Sequence, residues 1–296
     1  MPAPDPRPPQ RLGLVIHPSR ALDRALETLN AWTAARDVDV VQIPVAGRAR
    51  EVAPPGAAAE CDLVLALGGD GTTLAALREA AAVDRPVLGV ACGSLGALTA
   101  VAAPELAHAL DRVAAGDWRG RRLPGAAVSA DGAAPVVALN DLVVVRAGAG
   151  QVAAAVRVDG ELYARFSGDG LVIATPLGSS AYTLAAGGPV LAPTASGLVV
   201  TPLAPHGGCC PPLVVGPQTR ISVDVEGGHG GARAELDGQV TGLEPRRLDV
   251  TWRPDHATLV ELDHAEPFLS GLRRRRIIMD SPRVLARDER EPGAPG

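Results

Sequence analysis

Four largely apolar runs punctuate the first hundred residues: LGLVIHP (12–18), VDVVQIPV (38–45, interrupted by Asp39 and Gln42), DLVLAL (62–67) and RPVLGVA (85–91). A strand with apolar side chains on both faces must be covered on both. Between these runs lie segments of helical period, ALDRALETLNAWTAAR (21–36) and TTLAALREAA (72–81). Apolar strands alternating with helices leave one economical solution, a parallel sheet flanked by helices. PELAHALDRVAAGDW (104–118), with Pro104 near a helix start, completes this half. From about residue 121 the helical period fades and short strands with Gly-rich turns replace it. VAAAVRVDGELYARF (152–166) reads as a hairpin turning at Asp159–Gly160. RISVDVEGG and ARAELDGQ read as a second pair around GGHGG, followed by RLDVTW with ATLVEL. The expected fold class is α/β plus all-β. A Rossmann-like parallel-sheet domain spans 11–120 and a β-sandwich domain 121–265. A helical segment, 266–280, returns to pack on the first domain, and 1–10 and 281–296 are expected to be disordered tails.

The chain has 296 residues, enough for two domains of ordinary size. Aromatic residues make up only 2%, so the cores must be built from Ala, Val and Leu. The net charge of −5 argues against a duplex-binding surface. The basic run Arg273 to Arg276 reads as a solvated helix face. No lysine occurs, so all 28 basic residues are arginines. That excludes a Walker A loop and Schiff-base chemistry on lysine. Cys61, Cys92, Cys209 and Cys210 form no CxxC pair and lack zinc-site spacing. The leading MPAPDPRPPQ has no apolar h-region, and no apolar run approaches a membrane span. Reduced thiols, a cytoplasmic location, and neither nucleic acid nor membrane as partner are therefore expected. No acidic cluster reads as a metal cage, so no metal-binding residue is predicted.

The stretch DLVLALGGDGTTLAALREA (62–80) runs from a buried strand through Gly68, Gly69, Asp70, Gly71 and Thr72 into a helix. In a parallel sheet, ligands bind beyond the carboxyl ends of strands, where helix N-termini present free N–H groups. Glycines there let backbone donors approach phosphate oxygens. Asp70 is repelled by phosphate, unless it faces a hydroxyl that must lose a proton or a bound Mg²⁺; both needs arise in phosphoryl transfer. The plainer alternative is a turn in which Asp70 caps the helix. A second stretch, SGDGLVIATPLGSSAYTLAAGGPVL (167–191), gathers Gly-rich turns, Ser179, Ser180 and Tyr182, with Asp169 ahead of a strand. That many hydroxyls beside glycines suit a polar, aromatic ligand better than a core strand. Asn140 and Asp141 lie at a strand edge in LNDLVV (139–144), where the residues alone read as a turn. His206 and His229 read as turn or loop residues.

These motifs together resemble the NAD kinase family. The resemblance rests on GGDGT (68–72), NDLVV (140–144), DGLVIATPLGSSAYTLAAGGPVL (169–191), TPLAPHGGCCPPLVV (201–215) and DGQ (237–239). It covers roughly residues 60–245. It implies an α/β nucleotide-binding domain followed by a β-sandwich. It also implies transfer of the γ-phosphate of ATP, or of polyphosphate, to the 2′-hydroxyl of the adenosine ribose of NAD, giving NADP, with Mg²⁺ delivered on the donor's phosphates. By the same resemblance Asp70 is the proton acceptor and touches the dinucleotide with Gly71. Asn140 and Asp141 contact NAD, and Asp169 contacts its nicotinamide end. Ser180, Ala181 and Tyr182 match the family's Thr-Ala-Tyr, and Gln239 matches its glutamine. A homo-oligomer, dimer or tetramer, with sites completed across subunits is also implied. Ala91, Ala97, Ser167, Leu177, Ala185 and the pair Cys209–Cys210 depart from the family's pattern. Ser167 stands where Arg is common, and Ala185 where a Ser follows the Tyr. The other classes open to the sequence are a lipid kinase sharing GGDGT and a non-catalytic NAD- or ATP-binding sensor.

Overall fold

The structure is a computed structural model describing residues 8–47, 50–262 and 268–288. The apolar runs become β1 (Arg11–Ile16), β2 (Asp39–Gln42), β3 (Leu63–Gly68) and β4 (Pro86–Ala91), with α1 (Asp23–Ala34) and α2 (Asp70–Ala81) between them. They pair in parallel in the order β2-β1-β3-β4. Alternate side chains of β1 and β3 point to opposite faces. Leu12, Leu14, Leu65 and Leu67 pack with Leu29 and Trp32 of α1, whereas Val15, Val64 and Ala66 pack with Leu74 and Leu77 of α2. The two helices thus cover opposite faces, and the switch of face falls between β1 and β3. Each fully buried leucine here contributes roughly 1.5–3 kcal/mol relative to exposure. After the two-residue β5 (Val101–Ala102), α3 (Leu106–Ala114) joins α1; the Trp32 indole N–H donates to Asp111 at 2.7 Å.

The second half contains β6 (Arg119–Ala130), β7 (Val136–Ala138), β8 (Asp141–Arg146), β9 (Val152–Val158), β10 (Glu161–Gly168) and β11 (Gly170–Ala174). The short α4 (Tyr182–Ala185) follows, then β12 (Leu198–Leu203), β13 (Leu213–Val215), β14 (Arg220–Gly227), β15 (Ala232–Leu236), β16 (Gln239–Val240) and β17 (Arg247–Glu261). One sandwich layer runs β13-β12-β11-β8-β15-β16; facing it are β10, β9, β14, β17, β6 and β7. Leu142, Val144, Leu171, Ile173, Val200, Ile221, Val223 and Val250 fill the space between, joined by Phe166. An aliphatic core is what a 2% aromatic content requires. The hairpin of β9 and β10 turns at Asp159–Gly160, both at positive φ (50° and 86°), as the primed hairpin turns demand.

Three sequence readings need correction. RISVDVEGG and ARAELDGQ do not pair: β14 joins β9 and β17, while β15 joins β8 and β16 in the opposite layer. Their inward apolar residues meet across the core, and GGHGG carries the chain from one layer to the other. A Cβ on Gly230 would lie 2.4 Å from Gly148 Cα, so glycine permits the crossing loops to touch. RLDVTW and ATLVEL are two halves of one strand, β17, with a register shift between Arg253 and Ala257 and Asp255 at φ 49°. The first half pairs with β14, and Thr258–Leu259 pairs in parallel with β4. The sandwich layer and the parallel sheet are therefore one continuous sheet. Finally, 282–288 is helical (α6, Pro282–Asp288) where a tail is expected. Pro282 at its first position is pre-set for helical φ.

Helix α5 (Phe268–Arg274) falls in the segment expected to return to the first domain. Its Leu272 is fully buried, and Arg274 donates to the Leu95 carbonyl at 2.9 Å. Gln10 leads into β1, its N–H donated to Asp62 and its carbonyl accepting the Asp39 N–H, in place of the expected tail. The remaining tail readings, at 1–7 and 289–296, lie outside the described residues. Among the described residues no helix is long and apolar enough to cross a membrane, and the cysteines are free thiols.

Candidate active site

Asp70 opens α2 directly after β3, with Gly69 as the preceding extended cap residue. It does not cap its own helix through its side chain. Its carboxylate instead accepts the backbone N–H of Ala97 at 2.9 Å and of Leu98 at 2.8 Å. Arg275 Nη1 stands 3.6 Å away on the other side. Gly96 lies so close that a Cβ there would fall 2.0 Å from Asp70 Oδ1. The loop after β4 thus holds Asp70 by backbone alone. Ala91 ends β4 and Ala97 lies in this loop, and the two N–H bonds depend on neither side chain. The Asp70 side chain keeps 38% exposure.

That exposure opens on a cleft of about 570 Å³ where the two halves of the molecule face each other. Asp70, Ala97 and Leu98 form one wall; Asn140, Leu177, Ser180 and Ala181 from the sandwich form another. The second wall is locked by close backbone contacts. A Cβ on Gly178 would sit 2.1 Å from the Asn140 carbonyl oxygen, and the Thr175 hydroxyl donates to the Leu139 carbonyl at 2.6 Å. Ser179 is fully buried, donating to Pro176 O and accepting from Leu191 N, so its hydroxyl staples the loop. Gly68 and Thr72 are buried against each other, a Cβ on Gly68 falling 2.3 Å from the Thr72 hydroxyl oxygen. Gly71 has open space and shares a neighbouring cleft of about 370 Å³ with Arg78, Asp237 and Gln239.

Asp237, in the DGQ motif, organises the corner beside the cleft. It sits at positive φ in the tight turn of β15 and β16. Its carboxylate accepts from the N–H of Leu139 (3.1 Å), Asn140 (2.6 Å) and Asp141 (3.4 Å), which fixes the Asn140–Asp141 corner. Burial pushes the Asp237 carboxyl up, and these N–H bonds with the Arg78 charge oppose the shift. Burial pushes Asp141 up to about 7, with Asp237 and Glu235 adding to it. The signal in sequence was the D-G of DGQ, a dipeptide suited to positive φ.

Four other predicted residues do not line the Asp70 cleft. Ser167 lines a separate cleft of about 520 Å³ with Arg165, Phe166 and His206, and its carbonyl accepts the His206 N–H at 2.7 Å. Asp169 pairs with Arg146 Nε at 2.8 Å. Tyr182 and Ala185 are exposed on α4. Arg20, which the sequence reading passed over, lies against the glycine loops: a Cβ on Gly93 would meet its Nη1 at 2.7 Å and one on Gly69 at 3.5 Å. Among the described residues no three His, Cys, Asp or Glu side chains converge in a way that could hold a metal ion.

Residues 15–118 match the ATP-NAD kinase N-terminal domain and 139–252 the ATP-NAD kinase C-terminal domain. The chain belongs to the ATP-NAD kinase family. NAD kinase 1 of Streptomyces avermitilis is 35% identical over 328 residues, covering 95% of this chain and 91% of that protein. The NAD kinase of Symbiobacterium thermophilum is 40% identical over 198 residues, covering 65% and 70%. The crystal structure of yeast NADH kinase complexed with NADH superposes with a TM-score of 0.76 at 20% identity, covering 93% of this chain and 89% of that one. The NAD kinase of Archaeoglobus fulgidus in complex with ATP gives 0.71 at 24% identity, covering 91% and 100%. Both likenesses are of fold.

Proposed function

We propose that this member of the ATP-NAD kinase family transfers the γ-phosphate of ATP to the 2′-hydroxyl of the adenosine ribose of NAD, giving NADP. The carrying observation is the position of Asp70, on a glycine-flanked helix start, half-exposed to a cleft whose opposite wall is the Asn140 and Ser180–Ala181 corner. Asp70 orients the ribose hydroxyl and accepts its proton. An ordinary aspartate is a weak base for an alcohol, but a loose transition state requires little deprotonation until late. Asn140 lines the cleft, and Asp141 lies buried beside it; the family resemblance favours this pair as the one that meets the dinucleotide. Gly71 and Gln239 border the adjoining cleft. Mg²⁺ is written as part of the substrate, carried by the phosphates of ATP. The cleft around Ser167 lies apart from Asp70, and a second copy of the chain supplying it is the arrangement the family resemblance favours. Free thiols fit the reducing cytoplasm.

The test is direct: purified protein with ATP, Mg²⁺ and NAD, with NADP read by an NADP-specific dehydrogenase. NADP must accumulate with time and enzyme. Asp70→Asn keeps the size and hydrogen-bonding shape of the side chain but removes the proton acceptor, so kcat falls by about 10²-fold or more while NAD binding persists. No NADP from the wild-type chain, or an Asn variant with unaltered turnover, overturns the assignment. Light scattering with and without NAD reads the assembly.

A further inference from the structure

We infer that Arg275, from the C-terminal basic run, is the donor-phosphate ligand of this site: it pairs with Asp70 here and neutralises the γ-phosphoryl group during transfer. The inference rests on the kinase reading above and goes one residue beyond it. The chain contains no lysine, so a permanently charged side chain meeting the donor's phosphates is an arginine. Arg121, Arg122 and Arg275 line the cleft that holds Asp70. Arg122 is committed to Asp84 at 2.8 Å, and to the Thr258 hydroxyl and the Asp255 carbonyl at 2.5 Å. Arg121 stands 3.2 Å from Glu261. Arg275 is placed differently. Its Nε donates to the Gly271 carbonyl at 3.0 Å, which fixes the stem and leaves the terminal nitrogens on the Asp70 side. The platform beneath is anchored by buried Leu272 and by Arg274 on the Leu95 carbonyl.

The distance carries the argument. At 3.6 Å, Nη1 and Asp70 Oδ2 attract as charges but are too far apart for a hydrogen bond, so the contact exchanges readily for a better one. Asp70 does not need it for position, because two backbone N–H groups already hold it. An alcohol hydrogen-bonded to Asp70 places its oxygen about 3 Å from that carboxylate. A phosphorus in line with that oxygen then lies within reach of a guanidinium on the same side. In the step, the 2′-oxygen forms a bond to the γ-phosphorus. The bond from that phosphorus to the bridging oxygen breaks, and its electron pair leaves with ADP. The alcohol proton passes to Asp70. Arg275 forms no covalent bond; it offsets charge on the equatorial oxygens, where a planar guanidinium can bind two of them.

Steady-state kinetics of Arg275→Gln, Arg275→Lys and Arg275→Ala test this, with Arg273→Gln as the control, since Arg273 pairs with Asp280 on the surface. Wild-type protein that makes no NADP refutes the kinase reading itself, whatever the variants do. With active wild type, Arg275→Gln is expected to lower kcat about 100-fold or more with the KM for NAD little changed. Lys restores part of the loss, added guanidinium rescues the Ala variant, and Arg273→Gln matches wild type. Normal or raised kcat in Arg275→Gln overturns the inference. So does a loss that neither Lys nor guanidinium repairs and that tracks a fall in Tm, since Arg275 would then only hold α5 in place.

Discussion

At the scale of single residues, the site is built from carboxylates treated in opposite ways. Asp70 accepts two backbone N–H groups and stays open to the cleft. Asp141 is 5% exposed and lies beside Asp237 and Glu235, so its charged form is disfavoured and its pKa stands at about 7 against an ordinary 3.8. Below about pH 4 Asp141 is neutral in folded and unfolded chains alike. Between about 4 and 7 the unfolded chain ionises while the native state keeps its proton, so stability drains away as pH rises and the full cost is present above 7. Asp141→Asn removes that cost. Thermal melts should show its Tm matching wild type at about pH 4 and exceeding it by several degrees at about pH 8. A difference independent of pH would mean that the carboxyl is not held neutral by burial. Asp70 stands out in the sequence from its flanking glycines, whereas Asp141 at its strand edge reads as a turn residue until the family resemblance names it. Asp141's protonation is not legible there, because desolvation depends on what the fold stacks around it.

At the scale of elements, the loop after β4 and the first turn of α2 act as one unit. The loop's contribution is its backbone, which explains how the chain tolerates Ala91 and Ala97 in a segment where the family carries other side chains. It does not tolerate bulk at Gly96. Adding a methyl there places an atom 2.0 Å from Asp70 Oδ1, and the carboxylate must swing away. Gly96→Ala should leave the circular dichroism spectrum and Tm close to wild type while kcat falls by up to about 10²-fold, the cost of displacing a catalytic group by an ångström. Full activity in that variant would show that Asp70's position is not critical. The basic run 273–276 illustrates what element-level reading misses. Four consecutive arginines look alike in sequence, yet Arg273 pairs with Asp280, Arg274 clamps Leu95, and Arg275 faces Asp70. A short helix sends adjacent side chains about 100° apart, so only its docking decides which one meets the site.

At the scale of the whole molecule, β17 ties the halves together. Its first part belongs to the sandwich and its last part to the parallel sheet, and β6 pairs along both. Separating the halves would break the β17 ladder and uncover Leu259 and Val260, both buried. Urea unfolding should therefore be a single transition, with fluorescence of Trp32 in the first core coinciding with that of Trp252 beside the second. Two separated midpoints would mean that the shared strand does not couple them.

The sequence by itself determined the class of each half, because period and polarity are local: continuous apolar runs, then short strands with Gly-rich turns. It also marked Asp70 and the 169–191 segment, since positive-φ turns and close backbone approaches demand glycine at fixed places. Only the tertiary structure decided that β14 and β15 face each other instead of pairing, that RLDVTW and ATLVEL are one strand, and that Arg275 meets Asp70. Each of these depends on which distant surfaces bury each other. That is a balance of contacts between elements, and no single segment carries it.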